Sequence, residues 1–182
     1  MKITKTDFPG VVFIEPQIFG DARGWFYESW NRERYADAGI TENFVQDNVS
    51  FSSRGVLRGL HYQKPFPQGK LVSVLLGKVW DVVVDLRRSS PTFGKWRGFV
   101  LTGEKKEQLF IPTGCAHGFC VLSETALFQY KCTDKYSPKS EHGIMWNDKT
   151  LGITWPLTDP KLSEKDKKHP TFRELTDDLL FD

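Results

Sequence analysis

Ten short apolar stretches, each bounded by Gly, Pro, Asp or Asn, follow one another along this chain of 182 residues. They cover residues 11–19, 24–30, 44–52, 55–63, 70–76, 79–86, 97–102, 107–112, 117–123 and 126–133. Stretches of this length with turn residues between them are typical of antiparallel strands rather than of alternating strands and helices. The pattern therefore predicts an all-β fold, a sandwich or a barrel, with a tight hairpin at Gly77-Lys78.

Helical signals are few. Ser29 is placed to cap a helix through WNRERYADA, and Gly39 is placed to end it. A second helical stretch is expected within residues 162–180, interrupted at Pro170. The chain is therefore expected to carry only a few short peripheral helices.

Length and composition narrow the class of protein. No linker divides the chain, so residues 1–182 are expected to form one domain, with the barrel core at about 44–135. The net charge of +2, without a basic stripe, does not favour nucleic acid as a partner. No apolar run is long enough for a membrane helix. Three cysteines without a C-x-x-C pair, and no signal peptide, indicate reduced thiols and a cytoplasmic location.

The stretch GVLRGLHYQ places two polar side chains, Arg58 and His61, inside an otherwise apolar strand. Residues three apart point to opposite faces of a regular strand, so one pocket cannot receive both without an irregularity. Gly59 permits a bulge there. Alternatively, Arg58 reaches the site of a partner subunit, and the sequence leaves both possibilities open.

Strand alternation also sorts the residues of two later segments. In VWDVVVDL, Asp81 and Asp85 lie on the face opposite the apolar one, so one of them is expected to orient His117 inside the barrel. In ALFQYKCT, Tyr130 belongs to the apolar face, and its hydroxyl needs a partner inside. The alternative is that Tyr130 is an ordinary packed core residue.

Two of the four histidines, His61 and His117, lie in strand-like segments, whereas His142 and His169 lie in polar stretches where exposure is expected. The segment IPTGCAHGF resembles the second metal motif of the cupins, which are jelly-roll proteins. Where the first cupin motif would supply further ligands, this chain has His61-Tyr62-Gln63 and then Lys70, whose ammonium repels a cation. We therefore expect a cupin-like jelly-roll barrel without metal; a metal-dependent cupin is the alternative.

A barrel that holds His, Lys and Tyr side chains is suited to proton transfer at carbon. Imidazole can remove a proton from a carbon next to a carbonyl, and an ammonium can stabilise the resulting enolate. A phenol on the other side of the substrate can then return a proton, which inverts the stereocentre. His61, Lys70 and Tyr130 therefore suggest an epimerase.

A series of motifs resembles the dTDP-4-dehydrorhamnose 3,5-epimerase family. In order they are GVLRGLHYQ, KLVSV, DVVVDLRRSSPTFGKW, QLFIPTGCAHGF, YKCTDKYSPKSE, WND, WPL and LSEKD, between about residues 23 and 166. The resemblance implies a cofactor-independent jelly-roll enzyme, usually a homodimer. It also implies inversion of C3 and C5 of dTDP-4-dehydro-6-deoxyglucose to give dTDP-4-dehydro-L-rhamnose.

The resemblance also implies roles for individual residues. His61 is the expected base, paired with Asp166; Lys70 stabilises the enolate; and Tyr130 is the acid on the other face. Tyr136 is expected to stack on thymine. The remaining residues expected to line the nucleotide-sugar site are Arg23, Glu28, Gln46, Asp47, Asn48, Arg58, His117, Glu141 and Lys165.

Two positions depart from the family pattern. Ser73 stands where arginine is frequent, and Cys115 stands where a larger aromatic is frequent, which is expected to alter pocket size near the sugar. The alternatives are therefore a C3-only or C5-only epimerase of a related dTDP-4-keto-6-deoxy sugar, or a sugar-binding cupin without activity. If the chain dimerises, the segment 11–19 is a plausible exchanging edge strand.

Overall fold

The computed structural model describes all of residues 1–182, and thirteen strands account for most of its regular structure. In chain order the strands are β1 (Lys2–Lys5), β2 (Val12–Glu15), β3 (Ile18–Asp21), β4 (Gly24–Tyr27), β5 (Gln46–Ser53), β6 (Leu57–Gln63), β7 (Lys70–Leu76), β8 (Lys78–Asp85), β9 (Trp96–Thr102), β10 (Gln108–Ile111), β11 (Cys115–Val121), β12 (Thr125–Cys132) and β13 (Glu141–Gly143). The prediction of an all-β fold is confirmed.

Two antiparallel sheets form a cupin-like jelly roll. One sheet has the strand order β1-β2-β10-β7-β12-β5, and the other has the order β13-β6-β11-β8-β9. Alternate side chains from both sheets meet in a shared core, for example Val72 and Val74 of β7 against Val79 and Val83 of β8. The remaining strands, β3 and β4, pair only with each other and form a separate hairpin.

The predicted hairpin at Gly77-Lys78 is wrong. β7 pairs with β10 and β12, whereas β8 pairs with β11 and β9 in the other sheet. Gly77 is therefore the corner at which the chain passes from one sheet to the other. Its φ of +85° favours glycine, and a Cβ there would lie 2.1 Å from the carbonyl oxygen of Thr125.

The short helix α1 (Arg32–Asp37) begins later than expected, because Asn31 rather than Ser29 is its N-cap. The Asn31 side chain accepts a hydrogen bond from the backbone N–H of Arg34. The second predicted helical stretch is also wrong as a continuous element. It consists of separate 3₁₀ turns at Asp166–Lys168, Phe172–Glu174 and Asp177–Leu179.

No helix in the chain has the length and apolar character that crossing a membrane requires.

Other boundaries differ at prolines and at sheet edges. The predicted strand 11–19 divides around Pro16 into β2 and β3, because proline cannot supply a ladder hydrogen bond. The strand predicted at 24–30 ends at Tyr27. The edge strands β1 and β13 were missed; they have four and three residues, too few to show clear alternation.

Part of the outer face of each sheet is covered as well. Tyr35 and Ile40, in and after α1, pack on the outer side of the six-stranded sheet. The outer side of β8, with Val82, Val84 and Leu86, packs against residues near the C-terminus, including Leu175. Since this apolar face of β8 points outward, its other face, which carries Asp81, points into the barrel. The inward faces of the two sheets therefore enclose the interior of the barrel.

Candidate active site

A cavity of about 560 Å³ opens between the two sheets. One wall is formed by β6 and β11, the facing wall by β7 and β12, and residues 161–166 close one side. Nine predicted site residues line it: Arg58, His61, Lys70, His117, Tyr130, Tyr136, Glu141, Lys165 and Asp166. An adjoining cavity of about 300 Å³ shares five of these residues and adds Gln46 and Asn48. Most of the predicted site residues therefore line one of these two adjoining cavities.

A bulge in β6 explains how Arg58 and His61 reach the same cavity. Arg58 lies opposite Phe119 and His61 lies opposite His117, so three steps along β6 match two steps along β11. The extra residue reverses the alternation. Gly59 lies at this point with φ +133°, and a Cβ on it would come within 2.4 Å of the Cα of Gly118. The predicted irregularity at Gly59 is confirmed, and Arg58 does not need a partner subunit to reach a cavity.

His61 forms a close pair with Asp166. The His61 Nε2 lies 2.6 Å from the Asp166 Oδ1, and the Asp166 side chain is almost fully buried. Burial works to raise the pKa of Asp166, but the neighbouring imidazoles of His169 and His61 outweigh it and hold this pKa well below its usual range. Asp166 is therefore an anion that accepts the Nε2–H of His61. In the neutral imidazole this leaves Nδ1 free to take a proton.

Lys70 and Tyr130 lie on the wall facing His61, on the neighbouring strands β7 and β12. The Lys70 Nζ is 5.9 Å from the centre of the Tyr130 ring. Burial raises the pKa of Tyr130, so its hydroxyl keeps its proton at neutral pH. Burial lowers the pKa of Lys70, which makes its charge sensitive to the nearby anionic groups. The cavity thus has an imidazole on one sheet and a phenol with an ammonium on the other.

The His117 side chain contacts Asp81 of the neighbouring strand β8 inside the barrel. The His117 Nε2 lies 2.9 Å from the Asp81 Oδ2, and both side chains are buried. Burial raises the pKa of Asp81 and lowers that of His117, so each side chain is pushed towards its neutral form. The expectation that Asp81 or Asp85 orients His117 is confirmed for Asp81. Asp85 instead accepts two hydrogen bonds from the guanidinium of Arg87 in the β8–β9 connection, and a third from the Arg87 backbone N–H.

A polar cluster lies at the cavity mouth. The Tyr136 hydroxyl donates to the Glu141 Oε2 at 2.5 Å, and Lys165 contacts the same oxygen. Burial works to raise the pKa of Glu141, but these two hydrogen bonds lower it. Half of the Tyr136 side chain remains exposed. Tyr136 therefore presents an open aromatic face beside the cationic Lys165.

Three predicted site residues lie outside the cavity of their own chain. Arg23 is at the turn of the β3–β4 hairpin and pairs with Asp21. Glu28 lies 3.3 Å from Arg34 near α1. Asp47 is on the outward face of β5 and pairs with Lys131 at 2.9 Å. Cys115 does not line the cavity either, because it packs in the core between the sheets.

His169 is the residue that sequence reasoning missed. It was expected to be exposed, and this is wrong: its side chain is 8% exposed, and its Nε2 lies 3.4 Å from the Asp166 Oδ1. The i, i+3 spacing of Asp166 and His169, followed by Pro170, was the available signal. The charged residues around this pair, Lys165, Lys167 and Lys168, gave the segment the look of a solvated surface.

The ligating atoms of His61, Asp166 and His169 all lie within 4.8 Å of one another. A zinc ion bound to two of them in tetrahedral geometry, at about 2.1 Å, would hold the two donor atoms about 3.4 Å apart. The His61 Nε2 and the Asp166 Oδ1 are 2.6 Å apart. The His61–Asp166 pair therefore fits a hydrogen bond rather than two ligands of one zinc ion, whereas the His169 Nε2 lies 3.4 Å from the same oxygen.

A base and an acid on opposite walls, with an ammonium beside the acid, can remove a proton from one face of a carbon and deliver another to the opposite face. The fold and the site therefore define a jelly-roll isomerase of the acid–base type. The family model described as dTDP-4-dehydrorhamnose 3,5-epimerase matches residues 5–174. The chain belongs to the dTDP-4-dehydrorhamnose 3,5-epimerase family.

Individual relatives agree with this assignment. A dTDP-4-dehydrorhamnose 3,5-epimerase of Shigella flexneri is 55% identical over 91% of this chain and 93% of its own. The enzyme of the same name from Pseudomonas aeruginosa is 55% identical over 96% of this chain and 97% of its own. The crystal structure of a dTDP-6-deoxy-D-glucose-3,5-epimerase from Legionella pneumophila, in complex with dTDP-4-keto-L-rhamnose, has a TM-score of 0.96. The two sequences are 53% identical, and the match covers 99% of this chain and 97% of the Legionella chain.

Proposed function

We infer that this chain inverts C3 and C5 of dTDP-4-dehydro-6-deoxyglucose to give dTDP-4-dehydro-L-rhamnose. Membership of the family supports the reaction. The observation that carries the mechanism is the placement of His61 and Tyr130 on opposite sheets of one cavity. A flat enolate held between these two walls receives its new proton on the face opposite the one that lost a proton.

In the proposed reaction the His61 Nδ1 removes the proton from the carbon next to the C4 carbonyl. The electron pair of the broken C–H bond moves onto the carbonyl oxygen and forms an enolate, which the Lys70 ammonium stabilises. The Tyr130 hydroxyl then gives its proton to the other face of the same carbon. Asp166 keeps the His61 ring in one tautomer and stabilises its protonated form. Exchange with solvent then removes the extra proton from His61 and returns one to Tyr130. The same steps can therefore be repeated at the second carbon, since both C3 and C5 flank C4.

The remaining lining residues are proposed to hold the nucleotide. Arg58 and Lys165 carry the charge that a diphosphate requires, and Arg58 is fixed by a hydrogen bond from its Nε to the Ser52 hydroxyl. The exposed face of Tyr136 is suited to stacking on thymine. His117, oriented by Asp81, is proposed to bind the sugar. Gln46 and Asn48 supply amide groups in the adjoining cavity.

Solvent deuterium incorporation tests the reaction. In D₂O with dTDP-4-keto-6-deoxyglucose, we expect the C3 and C5 protons to be replaced and both centres to invert, with the same rates after treatment with a chelator. The measurement is proton NMR of the sugar. Exchange at one carbon only would support the C3-only or C5-only alternative. Loss of activity with chelator would support a metal-dependent cupin, and binding without exchange would support a sugar-binding module.

We also propose that the active protein is a homodimer in which the β3–β4 hairpin reaches the partner's cavity. The resemblance assigns Arg23 and Glu28 to the site, yet both lie outside the cavity of their own chain. Several large apolar side chains are exposed on the hairpin and on the edge strand β5: Phe19, Trp25, Phe26, Val49 and Phe51. Apolar patches of this kind are typical of protein interfaces.

Mixing two defective variants tests the shared site. We expect Arg23→Ala and His61→Ala to be weakly active alone. In mixed dimers one site combines an intact His61 with an intact Arg23, so random exchange of subunits restores about a quarter of the parent activity. Activity is measured before and after the mixture is dissociated and reassociated, with a mixture of Lys70→Ala and His61→Ala as the control that stays inactive. A mixture of Arg23→Ala and His61→Ala that gains nothing contradicts the shared site.

Residues 1–182 are further proposed to act as one domain with its jelly-roll core at about 44–135, and the protein is proposed to be cytoplasmic. The three cysteines support a reducing compartment because all of them are buried, unpaired thiols.

A further inference from the structure

One carboxylate oxygen lies between two imidazoles beside the cavity. The Asp166 Oδ1 is 2.6 Å from the His61 Nε2 and 3.4 Å from the His169 Nε2. The two rings are 5.5 Å apart and nearly perpendicular. His61 lines the main cavity, whereas His169 lines a separate cavity of about 260 Å³. The proposed mechanism uses His61 and Asp166 but gives His169 no role.

The fold fixes the His169 ring in this place. A Cβ on Gly143 of β13 would come within 2.6 Å of three atoms of the ring, so the imidazole lies directly on the strand backbone. The following residue, Pro170, accepts a hydrogen bond from the backbone N–H of Met145 at 2.8 Å. The ring therefore cannot move away from Asp166 without a shift of β13 or of its connection.

Asp166 is also the nearest acceptor for His169. The His169 Nε2 is buried without a well-formed hydrogen bond, and an unpaired buried polar group is costly. Apart from His61 and Asp166, the charged and titratable groups around the ring are Tyr62 of β6, Glu141 and His142 of β13, and Lys165 and Lys168 of the adjoining turn. Glu141 is already engaged by Tyr136 and Lys165. The carboxylate left to face His169 is therefore Asp166.

We propose that His169 is a positioning residue of the proton-transfer site, which donates its Nε2–H to the Asp166 Oδ1 and so shares this carboxylate with His61. The inference rests on the proposed function. Two donors on one oxygen fix the carboxylate and divide its negative charge between two imidazoles. Without His169, the whole charge acts on His61. This charge favours the protonated form of the His61 imidazole, which cannot act as the base.

Replacement of His169 tests this. We expect His169→Leu to lower kcat/KM near neutral pH about tenfold, in the range usual for lost partners of a site residue. We also expect it to move the acid limb of the kcat/KM profile to higher pH. His169→Gln retains an amide donor and should restore the limb towards that of the parent. His142→Gln is the matched control, since it removes a neighbouring imidazole that contacts the backbone of Lys64 and not Asp166.

A purely structural role for His169 gives a different result. In that case His169→Leu lowers the rate without moving the acid limb, or His169→Gln moves it as far as His169→Leu, and either outcome overturns the inference. If His169→Leu does not fold, His169→Met supplies a flexible apolar side chain for the same measurement. If the parent enzyme exchanges deuterium as proposed and every His169 variant has the same kcat/KM profile as the parent, the inference is refuted but the proposed function stands. Parent enzyme without exchange refutes the proposed function instead.

Discussion

His61→Ala is expected to abolish deuterium exchange at both C3 and C5 and to lower turnover roughly a hundredfold or more, the usual cost of losing a positioned acid or base. One imidazole serves both carbons in the proposed mechanism, because both flank the carbonyl that Lys70 stabilises. No other neutral base lies as close to an anionic partner on that wall: His117 is buried against Asp81, and burial pushes both of those groups towards their neutral forms. Proton NMR in D₂O measures both carbons in one experiment.

The variant is expected to fold like the parent. The His61 side chain is 28% exposed, so its removal leaves a space that water can enter. Asp166 keeps His169 as a neighbour, and its backbone N–H keeps the bond to the Ser163 hydroxyl. Thermal unfolding and binding of dTDP check this. Loss of exchange at C3 with continued exchange at C5 would show that a second base exists and would contradict a single-base mechanism.

The strands and their alternation were predictable because each is a local pattern in the sequence. The alternation of VWDVVVDL placed Asp81 on the correct face. In GVLRGLHYQ, Gly59 indicated the bulge that brings Arg58 and His61 to the same cavity. Local patterns do not show which strands pair with each other. The sequence at Gly77 is that of a tight turn, but Gly77 packs against Thr125 and is a corner between two sheets.

The site was predictable to a different degree for each residue. Residues on strands, such as Lys70 and Tyr130, were fixed by alternation together with the family resemblance. Asp166 and His169 lie in a segment rich in lysine, where exposure is the ordinary expectation. Their burial depends on contacts with β6 and β13, which are distant in sequence. Arg23 and Glu28 are a third case, because they lie outside the cavity of this chain and only the proposed homodimer gives them a place in a site.

Tyr130→Phe is expected to separate proton removal from inversion. The substitution deletes one hydroxyl and keeps the ring, which packs near Phe128 and under Lys70. His61 can still remove a proton, exchange it with solvent and return it to the same face, so deuterium enters with retention of configuration. Inversion loses its donor and should fall roughly a hundredfold. The ratio of exchange to inversion, measured by NMR on the same sample, should therefore rise by a similar factor.

Tyr62→Phe is the matched control, because the Tyr62 hydroxyl is also buried but has no hydrogen-bond partner. It lies one residue from His61, and we expect it to change neither exchange nor inversion. Burial raises the pKa of Tyr130, so the phenol stays protonated above its ordinary pKa and inversion by the parent should persist into alkaline pH. In Tyr130→Phe this proton source is absent at every pH. If Tyr130→Phe inverts the substrate as fast as the parent, Tyr130 is only a core residue and the acid must be another group on that wall.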